Sequence, residues 1–129
     1  MTAVRPISAP RGRQSAGTAG EAARIRVAIV GATGYVGAEL IRLLSRHPDV
    51  EIVGLVGRGR DQEPIEATHA HLSTTRLTVD AARPDADAVF LALPHGTAAP
   101  IVGEIATEGT AIIDLGPDFR LRNPADYPR

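Results

Sequence analysis

The stretch that decides the fold is residues 25–37, which read Ile25-Arg26-Val27-Ala28-Ile29-Val30-Gly31-Ala32-Thr33-Gly34-Tyr35-Val36-Gly37. The first six residues form a β-branched run that predicts a buried strand. The apolar stripe that follows the glycines predicts a helix from about Tyr35 to Arg46. Gly31 permits a tight turn, Gly34 lets a pyrophosphate approach the backbone, and Gly37 lets the helix pack closely on the sheet. The stretch therefore predicts a strand–turn–helix unit that binds a dinucleotide at the helix N-terminus.

Further strands and a second helix follow at the spacing of alternating β and α elements. Strands that are almost continuously apolar, alternating with helices, predict a parallel sheet covered on both faces. We therefore expect an α/β fold with a Rossmann-like, doubly wound and mostly parallel sheet that is incomplete. Residues 57–75 are polar and are expected to be irregular. The other predicted elements are strands at 51–56, 76–79, 86–93 and 110–115 and a helix at 97–108.

The composition excludes several kinds of chemistry. A chain of 129 residues forms one domain at most, and a net charge of −1 gives no reason to expect nucleic acid or an anionic membrane as a partner. No apolar run approaches the ~20 residues of a membrane helix. Without cysteine, these residues form no disulfide, thiolate metal site or thiol nucleophile. All 14 basic residues are arginine, which excludes a Schiff-base lysine, a Walker-type lysine and a Tyr-x-x-x-Lys pair.

Residues 1–24 differ in character from the rest of the chain. They are mostly Ala, Gly, Ser, Pro and Arg with almost no apolar periodicity, so we expect a disordered tail in front of a dinucleotide-binding domain at 25–129. The tail has no apolar core of a secretory signal. Its arginines suit an organelle transit peptide weakly, because prolines and glycines spoil an amphipathic helix. The stretch after Gly116 has no core-forming pattern, which indicates an interrupted chain.

The form of the cofactor can be predicted from the end of the second strand. A site that prefers NAD usually has Asp or Glu there, which binds the ribose 2′-hydroxyl. Here the strand leads into Gly57-Arg58-Gly59-Arg60, and the first carboxylate is Asp61. An arginine at this position pairs with a 2′-phosphate. We therefore expect NADP, with Arg58 a better candidate for the phosphate than Arg60, and a solvated basic turn as the alternative.

Three motifs in order resemble N-acetyl-gamma-glutamyl-phosphate reductase. They are Val30-Gly31-Ala32-Thr33-Gly34-Tyr35-Val36-Gly37-Ala38-Glu39-Leu40, Leu91-Ala92-Leu93-Pro94-His95-Gly96 and Asp114-Leu115-Gly116-Pro117-Asp118-Phe119-Arg120-Leu121. Two shorter segments, Arg46-His47-Pro48 and Thr68-His69-Ala70-His71-Leu72, are also similar to that family. The resemblance covers about residues 25–129. It is carried by the combination of motifs, since none of them is specific alone.

The resemblance implies an enzyme that reduces an acyl phosphate to an aldehyde with NADPH in arginine biosynthesis, through a cysteine thioester. It implies a cytoplasmic homo-oligomer acting on a small-molecule substrate of the N-acetyl-glutamyl phosphate type. It also implies which residues surround the cofactor. Thr33, Gly34, Tyr35 and Val36 would wrap its phosphates, while Leu93, Pro94 and His95 would lie beside it at the carboxyl end of a strand.

The sequence departs from the family in having no cysteine, so we predict no catalytic residue and expect the chain alone to be inactive. Aspartate-semialdehyde dehydrogenase and the aminoadipyl-phosphate reductase of lysine biosynthesis remain alternatives. A non-catalytic NADP-binding regulatory module is a third. A nucleotide-sugar enzyme of the short-chain dehydrogenase type is disfavoured by the missing lysine.

Three polar features remain open. His95 is either a cofactor-side residue or a histidine in a turn after Pro94. His69 and His71 alternate along an extended segment, but two side chains without a third ligand do not predict a metal site. Asp118 and Arg120 form a structural pair or hold a substrate-side loop.

Overall fold

The computed structural model describes residues 23–58, 62–80, 85–106 and 109–121, together with Asn123 and Ala125. Of the tail predicted at residues 1–24, residues 1–22 lie outside the described residues. The segment predicted to be irregular, residues 57–75, contains the two-residue strand Glu63–Pro64 and two single-turn 3-10 helices, Ile65–Ala67 and Ala70–Leu72. The strands and helices are β1 Ile25–Val30, α1 Tyr35–Leu44, β2 Val50–Val56, β3 Glu63–Pro64, β4 Thr78–Asp80, β5 Ala88–Leu91, α2 Ala98–Ile105 and β6 Ala111–Asp114.

The strands form one sheet in the order β3-β4-β2-β1-β5-β6. All neighbours pair in parallel except the two-residue β3, which runs antiparallel to β4 at the edge. At the end of β1, Val30 is in register with Val56 of β2 and Leu91 of β5. The chain reaches β4 on one side of β1 and resumes with β5 on the other, so the direction of winding reverses beside β1. The predicted Rossmann-like, mostly parallel fold is confirmed.

Each face of the sheet carries a buried apolar core, as the apolar strands predict. Val27 and Ile29 of β1 face a core shared with Ile41 of α1 and with the 3-10 segment. The alternate residues, Ala28 and Val30, face a second core that includes residues of α2. Successive side chains of a strand point to opposite faces, so one six-residue strand supplies both cores. Among the described residues, no helix has the length and apolar character that a bilayer crossing requires.

Most element boundaries differ from the prediction by one to three residues, and two of the differences have clear local reasons. The helix predicted to run to Arg46 ends at Leu44, because Arg46 and His47 donate to carbonyls three residues back instead of four. The strand predicted at 76–79 begins at Thr78. Arg76 has a φ of +52°, a left-handed conformation that no strand residue adopts.

We predict that Ile29→Ala lowers the free energy of unfolding by about 2–5 kcal/mol, the usual cost of removing a fully buried isoleucine. Ile29 is 0% exposed in the central strand, whereas Ile25 in the same strand is 50% exposed. Ile25→Ala is therefore the matched control, with an expected loss below about 1 kcal/mol. Urea unfolding followed by circular dichroism measures both losses. Equal losses would contradict the difference in burial between Ile29 and Ile25.

Candidate functional site

A cleft of about 520 Å³ opens at the carboxyl edge of the sheet, lined by the residues at the ends of β1, β2 and β5. This is the place where open α/β sheets bind ligands. Eight of the ten predicted site residues line it: Gly31, Thr33, Gly34, Tyr35, Val36, Arg58, Leu93 and Pro94. Six further residues complete the lining, and the sequence analysis did not predict them: Val30, Val56, Gly57, Ala92, Ile101 and Leu115.

Residues 31–37, which we call the glycine loop, join β1 to α1 at the floor of this cleft. Gly31 has a φ of +89°, and a Cβ there would collide with the carbonyl oxygen of Ala92. Its amide and that of Ala32 both donate to the carbonyl of Val56, at 2.8 and 3.1 Å. Gly37 is buried, and a Cβ on it would lie 2.7 Å from Cα of Ala32. Both glycines therefore allow backbone segments to approach more closely than any side chain permits.

Gly34 differs from these two glycines, because neither its backbone conformation nor its packing within the chain requires a glycine. Its φ of −85° and ψ of 170° are open to any residue. A Cβ would meet only the carbonyl oxygen of Gly31, at 3.5 Å. Gly34 is the N-cap of α1, makes no side-chain cap hydrogen bond, and no acidic residue lies in the first turn. The loop thus presents unneutralised helix amides to the cleft, an arrangement that fits a phosphate.

Arg58 follows β2 by two residues and is exposed at the cleft. Among the described residues that line the cleft, it is the only one with a charged side chain. The side chain of Thr33 packs against the backbone of Gly57, the residue before Arg58. A Cβ added to Gly57 would lie 2.7 Å from Cγ2 of Thr33. Arg58 is therefore held next to the glycine loop. Arg60, the weaker candidate, lies outside the described residues.

His95, the last predicted cofactor residue, stands beside the cleft and does not belong to its described lining. Its Nδ1 is 2.8 Å from Oδ1 of Asp118, and its side chain is 59% exposed. The same carboxylate accepts hydrogen bonds from the amides of Gly96, at 2.8 Å, and Ala98, at 3.0 Å. Asp118 thus ties the loop after β6 to the start of α2, which explains the turn at residues 94–97.

Asp118 is a functional candidate whose role the sequence did not settle. The pKa of Asp118 is lowered, first by the hydrogen bond from the Gly96 amide and then by those from Ala98 and His95, while desolvation acts against them. The alternative pair with Arg120 is not what the structure shows, since the Arg120 guanidinium lies 3.4 Å from the carbonyl oxygen of Leu115. The sequence contains little sign of this role. Thr97, the N-cap residue of α2, makes no side-chain cap hydrogen bond, and the amide of Ala98 is instead capped by the carboxylate of Asp118, 20 residues away.

The paired histidines do not form a metal site among the described residues. No group of three or more His, Cys, Asp or Glu side chains there is able to hold a metal ion. The rings of His69 and His71 lie 5.8 Å apart between centroids and are tilted by 59°. His69 has a different contact, since its Nε2 lies 3.0 Å from the carbonyl oxygen of Thr33 in the glycine loop. Sequence reasoning did not find this contact.

With this geometry established, known proteins supply the family. The family model for the NAD binding domain of semialdehyde dehydrogenase matches residues 26–128. The chain belongs to this family. It is therefore an NAD(P)-binding domain of the semialdehyde dehydrogenase type.

Individual relatives are similar to this NAD(P)-binding domain over most of its length. N-acetyl-gamma-glutamyl-phosphate reductase of Heliobacterium modesticaldum is 50% identical over 109 residues, which cover 80% of this chain and 31% of the relative. The enzyme of the same name from Moorella thermoacetica is 44% identical over 109 residues, covering 80% and 32%. The chain thus spans about a third of the length of these curated relatives. The resemblance drawn from three motifs is confirmed.

A solved structure is similar as well. Aspartate semialdehyde dehydrogenase with NADP from Candida albicans superposes with a TM-score of 0.62 at 25% identity. The match covers 71% of this chain and 29% of that one. The likeness agrees with the Rossmann-like assignment of the semialdehyde dehydrogenase NAD(P)-binding domain.

We predict that Gly31→Ala destabilises this domain more than Gly96→Ala. Both glycines have a positive φ, +89° and +80°, so both alanines carry a left-handed backbone cost of roughly 1–2 kcal/mol. Only at Gly31 does the new Cβ overlap backbone atoms, which adds about 1–3 kcal/mol; at Gly96 nothing lies within 4 Å. Urea unfolding of the two variants measures the difference. Equal losses would show that the Gly31 contact with Ala92 is not tight.

We predict that Asp118→Asn lowers the melting temperature at neutral pH, and that the gap closes in acid. Because the pKa of Asp118 is lowered in the folded chain, its contribution to stability is present above the unfolded pKa. That contribution is lost as the pH falls through the lower, folded pKa. Thermal melts of both proteins between pH 7 and pH 3 test this expectation. A gap that stays constant over the range would mean that the charge of Asp118 does not stabilise the fold.

Proposed function

We propose that the chain binds NADP in the cleft and forms the cofactor-binding part of an N-acetyl-gamma-glutamyl-phosphate reductase. One observation carries the proposal: the glycine loop and the start of α1 open into a cleft in which Arg58 supplies the charged side chain among the described lining residues. The identity of 50% to a relative of that name supports the choice of enzyme. A homo-oligomer in the cytoplasm is part of the same proposal and rests on the resemblance alone.

The proposed contacts follow from the lining of the cleft. The pyrophosphate would be bound by the backbone amides of Tyr35 and Val36, in the first turn of α1. The adjoining residues Thr33 and Gly34 would complete the contact. The helix dipole would add to this attraction, since the first turn carries no acidic residue. Gly31 and Gly37 would contribute through the close backbone packing that places the loop.

At the two ends of the cleft the proposed contacts differ in kind. The guanidinium of Arg58 would pair with the 2′-phosphate, a charge-assisted contact that NAD does not offer. Leu93 and Pro94, which follow β5, would supply an apolar wall beside the cofactor. His95 would act on that side through the loop that Asp118 holds, and we assign it no catalytic step.

In such a reductase bound NADPH would supply the hydride, and a cysteine thiolate would displace phosphate from the acyl phosphate to form the thioester that accepts the hydride. The 129 residues contain no cysteine, so the proposed part of this chain is to bind and orient the cofactor. The nucleophile and the recognition of N-acetyl-glutamyl phosphate are assigned to other residues of the whole enzyme. The chain by itself is proposed to bind cofactor without turning over substrate.

Aspartate-semialdehyde dehydrogenase is the second candidate, favoured by the similarity to the Candida albicans structure with NADP. That similarity is 25% in sequence identity, against 42–50% for the eight reductases compared. Both candidates use the cleft in the same way. The reductase is preferred because its identity to the chain is higher and because the motifs at 91–96 and 114–121 resemble that family.

We predict that Arg58→Gln weakens binding of NADPH by roughly 10- to 100-fold, the value of one charge-assisted contact, and leaves binding of NADH within about 2-fold. Fluorescence titration of the chain with each dinucleotide measures both constants. Arg46→Gln is the control, since this exposed arginine lies beyond the opposite end of α1. Equal binding of the two dinucleotides by the unsubstituted chain would overturn the role of Arg58. No binding of either would overturn the proposed function.

A further inference from the structure

A hydrogen bond from outside the glycine loop holds one of its peptide groups. His69 and Thr33 are 36 positions apart, yet Nε2 of His69 lies 3.0 Å from the carbonyl oxygen of Thr33, in a part-buried setting. A carbonyl oxygen only accepts, so Nε2 is the donor and carries a hydrogen. We infer that His69 is a positioning residue, which fixes the glycine loop in the conformation that receives the pyrophosphate. The inference rests on the proposed function, because it assigns His69 to that same cofactor site.

The segment that carries His69 is itself anchored beside the loop. Ile65 and Leu72, on either side of His69, are buried in the same apolar core as Ala32 of the loop and Ala38 of α1. The amide of His69 donates to the carbonyl of Ile65, and the carbonyl of His69 accepts from Leu72, both at 2.9 Å. The imidazole therefore projects from a fixed backbone, which lowers the entropy lost in making the bond to Thr33.

The hydrogen bond from His69 sets the orientation of the peptide group between Thr33 and Gly34. The carbonyl of Thr33 and the amide of Gly34 belong to the same planar trans peptide and point in opposite directions. The carbonyl accepts from His69, and the amide donates to the carbonyl of Gly31 at 3.1 Å. The plane is thus held at both edges. Without His69 the plane would be held only by the bond from the Gly34 amide to Gly31, and the Thr33 carbonyl would turn more readily toward the bound phosphates, where it would repel them.

The chemistry of His69 also separates it from a metal ligand. The donor nitrogen is already used by Thr33, and its neighbour His71 is exposed. Among the described residues no third ligand completes a metal group. The contact to the loop is therefore the function that the geometry gives to this histidine.

The first test is titration of three variants with NADPH and NADH. His69→Leu removes the donor, and we expect both dinucleotides to bind roughly 3- to 10-fold more weakly, the value of one hydrogen bond. The ratio between the two dinucleotides stays unchanged, because both carry the pyrophosphate; this separates His69 from Arg58. His69→Gln restores a donor at similar reach and is expected within about 2-fold of the unsubstituted chain. His71→Leu, the adjacent exposed histidine, is the matched control and leaves both constants unchanged.

The second test follows amide hydrogen exchange without any ligand. We expect faster exchange at residues 31–37 in His69→Leu, normal exchange in His69→Gln, and no change in the strands of the sheet. Faster exchange spread evenly over the chain would assign His69 to overall stability and overturn the inference. Equal binding by the unsubstituted chain and His69→Leu would overturn it too, with the proposed function intact. If the unsubstituted chain binds neither dinucleotide, the proposed function fails first, and the exchange data still show whether His69 holds the loop.

Discussion

The contact between Gly31 and the carbonyl of Ala92 is the constraint on which the rest of the site depends. A strand that enters a helix beside a parallel neighbour must turn within one residue, and here the turn brings two backbones together where no Cβ fits. The same residue donates to Val56 of the strand on the other side. Gly31 therefore fixes the ends of β1, β2 and β5 relative to one another. The cleft is the space that remains above this junction.

The two apolar cores explain why this junction is stable enough to hold a ligand site. Alternate residues of β1 pack into different cores, so the central strand cannot shift by one residue without exposing both sets. The loop inherits this fixed register, because Ala32 belongs to the core beneath α1. Burial of apolar side chains in the two cores thus stabilises the glycine loop, although no side chain caps the amides at the start of α1.

How far the sequence predicts the molecule depends on how local each interaction is. The strand, the glycine turn and the helix at residues 25–37 are encoded within one short segment, and they were predicted together with the fold. The carboxylate cap from Asp118 and the imidazole contact from His69 join residues 20 and 36 positions apart. No periodicity or local motif records such pairs. The left-handed Arg76 is similar, since a non-glycine residue gives no sign of a positive φ.

The two non-local contacts act on opposite walls of the same cleft. His69 holds the glycine loop on the side of β2, and Asp118 holds the turn after β5 on the side of β6. Between them the described lining is apolar apart from backbone amides, the hydroxyls of Thr33 and Tyr35, and the charge of Arg58. Arg58 and Tyr35 are exposed, so water screens the attraction of the Arg58 charge for an anion, and the aligned amides at the start of α1 add to that attraction. Arg58 is the one charged side chain of the described lining, and the proposed function therefore assigns to it the discrimination between the two dinucleotides.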